Sequence, residues 1–460
     1  MKSKKMSLFD SILMAIGCII GASIFATTPI AAKIVGGKPV VWGFIFAAVF
    51  VFLRTLPEMV LTSALPARGG GYTQSARLVH PLVGAFVSIG NLIIGPMKIA
   101  TMALTFATYF NMLVPSWNPI VVAVAITLMF TIINLFGIKI SSWLQNIFVY
   151  VMIVALGAYV IMGWGHTVVT LSAALSTTFQ LSKMWAAMGI MHGSLIGANA
   201  LMYVADDVDN PGKNIPLAFI ISTSLTAVFF AAIAYVTIAV MPDFYKVNNL
   251  ATVAKVFMGP AMWAFFIAGG ALLAVVTSLT PAMLMFSNSH LVSAKDSLYP
   301  EFMSKFNKYG APANALWVNS IIAILAMVSK FNLTDVINIT TIPGLLLSPA
   351  VFIAVFFLPK RFPASYKTSW LKIPHWINCV IVVIATAVCF LLGWAVLKQM
   401  LPKNYIAMVI VYALFILYVW LRYNYLKRKG IDMFANMRKV PESWDAREKA
   451  ALEELAAKKD

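Results

Sequence analysis

Apolar residues run along this chain in stretches of about twenty, each closed by a few polar, glycine or proline positions, which is the pattern of helices that cross a bilayer. The first stretch covers about Leu8–Val35 and turns at Gly36-Gly37-Lys38-Pro39. Others cover about Val40–Leu65, Leu82–Val114, Ile120–Phe136 and Trp143–Trp164, and a sixth begins at about 184. Six more follow at about Leu217–Met241, Pro260–Phe286, Ala313–Val328, Val336–Leu358, Ile377–Leu397 and Tyr405–Tyr425. The pattern predicts an all-α integral membrane protein of twelve transmembrane helices, forming one domain over residues 1–430. A charged tail, 431–460, is expected to lie on the cytoplasmic side and to form a short surface helix.

Composition agrees with the pattern. Hydrophobic residues make up 61% of the chain and charged residues 11%, against about a quarter charged in soluble domains. The net charge of +18 is therefore no nucleic-acid footprint: the basic residues lie in short loops and the tail, where they set orientation and meet anionic lipid. Lys2, Lys4 and Lys5 precede the first span and Lys427, Arg428 and Lys429 follow the last. Both termini are expected in the cytoplasm, in a multi-pass protein of the cytoplasmic (inner or plasma) membrane. Cys18, Cys379 and Cys389 fall in apolar segments without metal-ligand spacing and read as small buried hydrophobes. The first apolar segment has no small-residue cleavage site and reads as a span rather than a removed signal. No cofactor or metal is expected. His192 and His290 lack an acidic or cysteine partner at ligand spacing, which argues against a membrane enzyme. No feature points to an oligomeric state.

Two of the predicted spans are interrupted in the same way. Gly17-Cys18-Ile19-Ile20-Gly21-Ala22-Ser23-Ile24-Phe25 is echoed by Gly193-Ser194-Leu195-Ile196-Gly197-Ala198-Asn199-Ala200-Leu201, so that Gly17 matches Gly193, Ile20 matches Ile196, Gly21 matches Gly197 and Ala22 matches Ala198 at one offset. Glycine costs a helix about 1 kcal/mol against alanine and lets other groups approach the backbone. Either stretch alone would be read as close helix packing. Matching interruptions in two halves of a membrane chain instead point to a transporter's binding site, where broken helices expose N–H and C=O groups at mid-membrane depth.

The ordered motifs resemble the amino acid–polyamine–organocation transporter superfamily. Residues 17–25 look like its first-helix signature, and Pro66-Ala67-Arg68-Gly69-Gly70-Gly71-Tyr72 is similar to the loop after its second helix. Asn210-Pro211-Gly212-Lys213-Asn214-Ile215-Pro216 and Ala294-Lys295-Asp296-Ser297-Leu298-Tyr299-Pro300 resemble the runs after its sixth and eighth. The resemblance implies a LeuT-type fold, with inverted repeats over about 8–164 and 184–358, broken helices 1 and 6, further helices at about 377–425, and alternating access around a central site.

An amino acid brings a carboxylate and an ammonium. Half-helix N-termini suit the first and unwound carbonyls the second. Gly21, Ala22 and Ser23 are therefore assigned to the carboxylate, with the Ser23 hydroxyl as a further donor, and Leu195, Ile196 and Gly197 to the ammonium, with Ile20 counted among the substrate-binding residues. Asn199 is a site residue or a helix–helix hydrogen bond; related antiporters often carry Glu there, so Asn speaks against strongly cationic substrates. Lys98, the basic residue deep in the third span, contacts a substrate carboxylate or a coupling site, or snorkels. His192 lines the vestibule or packs. Arg54 and Glu58, one turn apart, are expected to pair with each other as a structural element.

For coupling, proton-coupled relatives place a lysine after a Q-N-I run, and Gln145-Asn146-Ile147 is present, but the matching position is Met152. Thr277 and Ser278 are the candidates for a sodium site, or bond to their own helix. Exchange ranks ahead of Na+- or H+-coupled uptake. The leading reading is a neutral amino acid permease or exchanger. A polyamine or amino acid/amine antiporter, an acidic amino acid transporter using Lys98, and a non-transporting membrane scaffold stand as alternatives.

Overall fold

The computed structural model describes residues 5–21, 23–136, 141–246, 249–329, 333–398 and 400–457. Ala22 lies outside the described residues. Helices dominate, and the described residues contain no named strand, only an isolated bridge between Met6 and Val208.

The first predicted span is two helices, α1 (Leu8–Ile20) and α2 (Ser23–Val35). α1 starts where Ser7 and Asp10 form a reciprocal capping box that satisfies two otherwise orphaned N–H groups. α3 (Val40–Ala64) and α4 (Pro81–Leu113) follow. At 33 residues and about 1.5 Å per residue, α4 is roughly 50 Å long and exceeds the ~30 Å hydrocarbon thickness, so it must tilt or project. Next come α5 (Pro119–Leu135), capped by Asn118, and α6 (Ser141–Trp164). The sixth predicted span is again in pieces: α7 (Leu181–Leu195), a 3-10 turn at Gly197–Asn199 and α8 (Ala200–Tyr203).

The remainder comprises α9 (Pro211–Val240), α10 (Pro260–Lys295, continuous through a π-helical stretch at Phe266–Leu272), α11 (Ala313–Val328), α12 (Leu333–Phe352), α13 (Ala354–Arg361), α14 (Pro363–Thr368), α15 (His375–Leu397) and α16 (Pro402–Arg428). Among the described residues, nine helical segments are long and apolar enough to cross a membrane, and α5 and α11 are apolar but shorter. This is a multi-pass membrane protein.

The broken helices sit inside the bundle: α1 packs on α9 and α10, α2 on α7, and α4 on α10 and α12. Buried hydroxyls and amides knit these contacts, as when Ser88 of α4 meets Ser293 of α10 at 2.7 Å and Tyr299 at 3.1 Å.

Both described chain ends gather on one face. Met6 N–H donates to the Asp207 carbonyl and Asp209 N–H to that of Met6, each at 2.9 Å, and Arg68 bridges Asp206 and Asp207 at 3.2 and 3.1 Å. The tail is more than a loose surface helix. After α17 (Met433–Arg438), α18 (Glu442–Ala457) buries Trp444 completely, and the Trp444 indole N–H donates to the Pro66 carbonyl at 3.1 Å. Arg447 donates to the Ser63 carbonyl at 2.7 Å, and the Glu448 carboxylate accepts from the N–H groups of Ala364 and Ser365, the first turn of α14. The tail thus straps together loops that are far apart in the chain.

Candidate functional site

The break between α1 and α2 is set by one glycine. Gly21 has φ +29°, a conformation that side chains rarely adopt, and a Cβ there would lie 2.1 Å from the Ser278 hydroxyl. Ser278 comes this close because its Oγ donates to the Gly17 carbonyl at 2.6 Å, across from α10 to the end of α1. In α7 the helix stops at Leu195, and Gly197 lies directly against the other break: its Cβ would fall 2.3 Å from the Cys18 carbonyl oxygen. The two interruptions that echo in sequence therefore touch in space.

Beside them is a cavity of about 210 Å³. Of the predicted site residues, Ser23, Lys98, Ile196, Gly197 and Asn199 line it, while Ile20, Gly21 and Leu195 stand behind that lining. The Ser23 hydroxyl is already engaged: it donates to the carbonyls of Ile19 at 2.8 Å and Ile20 at 3.1 Å, so a ligand carboxylate at α2 would meet backbone N–H rather than this side chain. His192 lines the cavity and also packs, with Nδ1 2.7 Å from the Gly189 carbonyl and its ring against Phe50.

Thr277 and Ser278 are not in the cavity wall. Thr277 bonds to its own helix at the Ala274 carbonyl, 3.0 Å, with Met152 Sδ 3.8 Å away, whereas Ser278 reaches the carbonyls of α1. Ser278→Ala leaves the Gly17 carbonyl without this donor; it should cost about 1 kcal/mol, read as a lower thermal unfolding temperature in detergent, and unchanged stability would show the bond to be idle.

The structural pairing expected of Arg54 and Glu58 does not form. Both line the central cavity, no ion pair joins them among the described residues, and Glu58 instead accepts a hydrogen bond from Asn199 on the interrupted sixth span. An (i, i+4) spacing places two side chains on one helix face, and here that face is turned to the cavity and to Asn199. A carboxylate from α3 thus meets Asn199. The signal was present in the sequence, since two ionisable residues inside an apolar span mark a site by default. Asn91 and Tyr203 also line the cavity and were not singled out by the sequence.

A backbone-lined cavity at two helix breaks, with charged side chains at membrane depth, suits a small polar solute. The profile of a family described as amino acid permease matches residues 6–419. The chain belongs to the amino acid permease family. This places it within the amino acid–polyamine–organocation superfamily, among permeases rather than enzymes. Among similar proteins are an uncharacterised protein of Methanocaldococcus jannaschii, 26% identical over 77% of this chain and 81% of that protein, and the methylthioribose transporter of Bacillus subtilis, 23% identical over 81% and 85%. Cationic amino acid transporter 1 of Arabidopsis thaliana is 24% identical over 80% of this permease and 64% of its own length. Such relatives make this permease a secondary amino acid transporter at the level of class.

Proposed function

We propose that this permease carries an α-amino acid across the cytoplasmic membrane by alternating access, binding it between the two helix breaks. The observation that carries the reading is the contact of Gly197 with Cys18, which brings the two interruptions together beside a cavity with polar walls. The Gly21 N–H already donates to the Gly17 carbonyl at 3.2 Å, so the substrate carboxylate meets the N–H groups of the first turn of α2, beginning at Ser23, and the ammonium meets carbonyls around Leu195–Gly197. The fold that accommodates this is the LeuT-type arrangement of twelve helices, in which the spans of 8–164 and 184–358 are inverted repeats and both termini are cytoplasmic. The gathering of both chain ends at one face supports an even number of crossings.

Exchange is the favoured mode. Met152, with Sδ 3.8 Å from Thr277, puts an uncharged thioether where a coupling lysine would stand, and the Gly17 carbonyl already accepts from Ser278. Arg54 and Lys98 outnumber Glu58 in the cavity, which disfavours polyamines with several positive charges. Proteoliposomes loaded with single amino acids or polyamines, with and without sodium and proton gradients, test this. Uptake of a labelled amino acid that requires internal amino acid and ignores both gradients is expected. Gradient-driven uptake into empty vesicles would replace exchange with symport, and polyamine uptake alone would replace the substrate class.

A further inference from the structure

α3 carries a cation that the bundle does not neutralise. Arg54, ten residues before the end of α3 at Ala64, is 8% exposed and lines the central cavity. Its Nε has no hydrogen-bond partner among the described residues, and no carboxylate stands within ion-pair distance of it. Glu58 is held by Asn199, and the His192 Nδ1 by the Gly189 carbonyl. Lys98 approaches the same cavity from α4, also without an ion pair among the described residues. Two cations and one carboxylate leave the cavity one positive charge in excess.

A guanidinium stays protonated in proteins, and an uncompensated charge at membrane depth is costly. Such a group is retained where an anion arrives to meet it. The planar fork of arginine matches a carboxylate through two parallel N–H···O bonds, which an amide of the same shape cannot reproduce as a charged acceptor. We propose that Arg54, assisted by Lys98, forms an anion subsite in the central cavity that receives the side-chain carboxylate of an acidic amino acid, separate from the backbone cradle at the helix breaks. This rests on the reading that the cavity binds the amino acid main chain, and it makes Arg54 the residue that sets side-chain specificity.

The test uses the full-length protein in proteoliposomes and two isosteric pairs, L-glutamate with L-glutamine and L-aspartate with L-asparagine. The unaltered protein should take up acid over amide by at least tenfold in initial rate. Arg54→Gln should lower that ratio at least tenfold. Arg54→Lys keeps the charge and loses the fork, and should give an intermediate ratio. Where a variant moves nothing, the stabilisation of the purified protein by each compound, read by thermal unfolding, gives the same ratio; if Arg54→Gln does not fold, Arg54→Lys carries the test with an expected fall of about threefold.

Equal handling of acid and amide by the unaltered protein, or a ratio that Arg54→Gln leaves in place, overturns the subsite while amino acid transport stands. Amide uptake that is lost when chloride is replaced by gluconate also overturns it, by assigning the counter-charge of Arg54 to an inorganic anion. Failure of every amino acid to be moved or to stabilise the protein overturns both readings together.

Discussion

Gly197→Ala should reduce uptake at least about 100-fold, because a shift of roughly 1 Å in a positioned site is enough for that loss. The added methyl would sit 2.3 Å from the Cys18 carbonyl oxygen, 2.4 Å from its carbon and 2.6 Å from the Ile19 nitrogen. All three are backbone atoms of α1, so no side chain can swing aside, and relief requires the two breaks to part. Overpacking of this kind also destabilises by about 1–3 kcal/mol, visible as a lower unfolding temperature. Gly157→Ala is the companion variant. Its methyl would project into open space from the middle of α6, and it should fold at least as well as the parent, since alanine favours a helix by up to about 1 kcal/mol. Near-normal uptake by Gly197→Ala would mean that the contact between the breaks is not part of the transport machinery.

Asp296→Ala should be among the most destabilising single changes outside the membrane-spanning segments. Asp296 pairs with Arg77, whose Nη2 donates to Oδ1 at 2.9 Å and whose Nη1 lies 2.7 Å from Oδ2, and the Tyr72 hydroxyl donates to Oδ2 at 2.7 Å. Burial pushes its carboxyl above the usual carboxylate range, while Arg77 and Tyr72 act in the opposite direction. Removing the carboxylate strands a buried guanidinium whose Nε remains tied to the Lys439 carbonyl, and a broken buried pair costs about 3–5 kcal/mol. Thermal unfolding in detergent checks this. The double change Arg77→Met with Asp296→Leu removes both charges and should recover more than half of the loss. If the double variant is as unstable as Asp296→Ala, packing and not the stranded charge explains the effect.

The parts of this molecule legible in its sequence are those written in local chemistry. Gly21 and Gly197 stand out because an atom is absent where helices want one, and the structure puts a neighbour in each vacancy: Ser278 in one case and Cys18 in the other. Span positions follow from runs of apolar residues. What sequence spacing could not decide was direction. Arg54 and Glu58 have the separation of an ion pair on any helix, yet which neighbours that face meets depends on Asn199, more than a hundred residues away. The Ser23 hydroxyl likewise reads as a free donor until the ends of the preceding half-helix, Ile19 and Ile20, are placed beneath it. The tail reads as solvated because its charges dominate its composition, and only the far-off Pro66 and Ser63 reveal what Trp444 and Arg447 are for.

That strap has a bearing on biogenesis. Residues around Trp444, translated late, complete a seam whose other side, at Ser63 and Pro66, was translated early. Until those residues have emerged, the seam stays open, and a hydrophobic seat for the indole faces chaperones and proteases. A nonsense codon shortly before Trp444 would spare the apolar spans of the described residues and still leave that seat open, so quality control could recognise the truncated chain by its lack of α18.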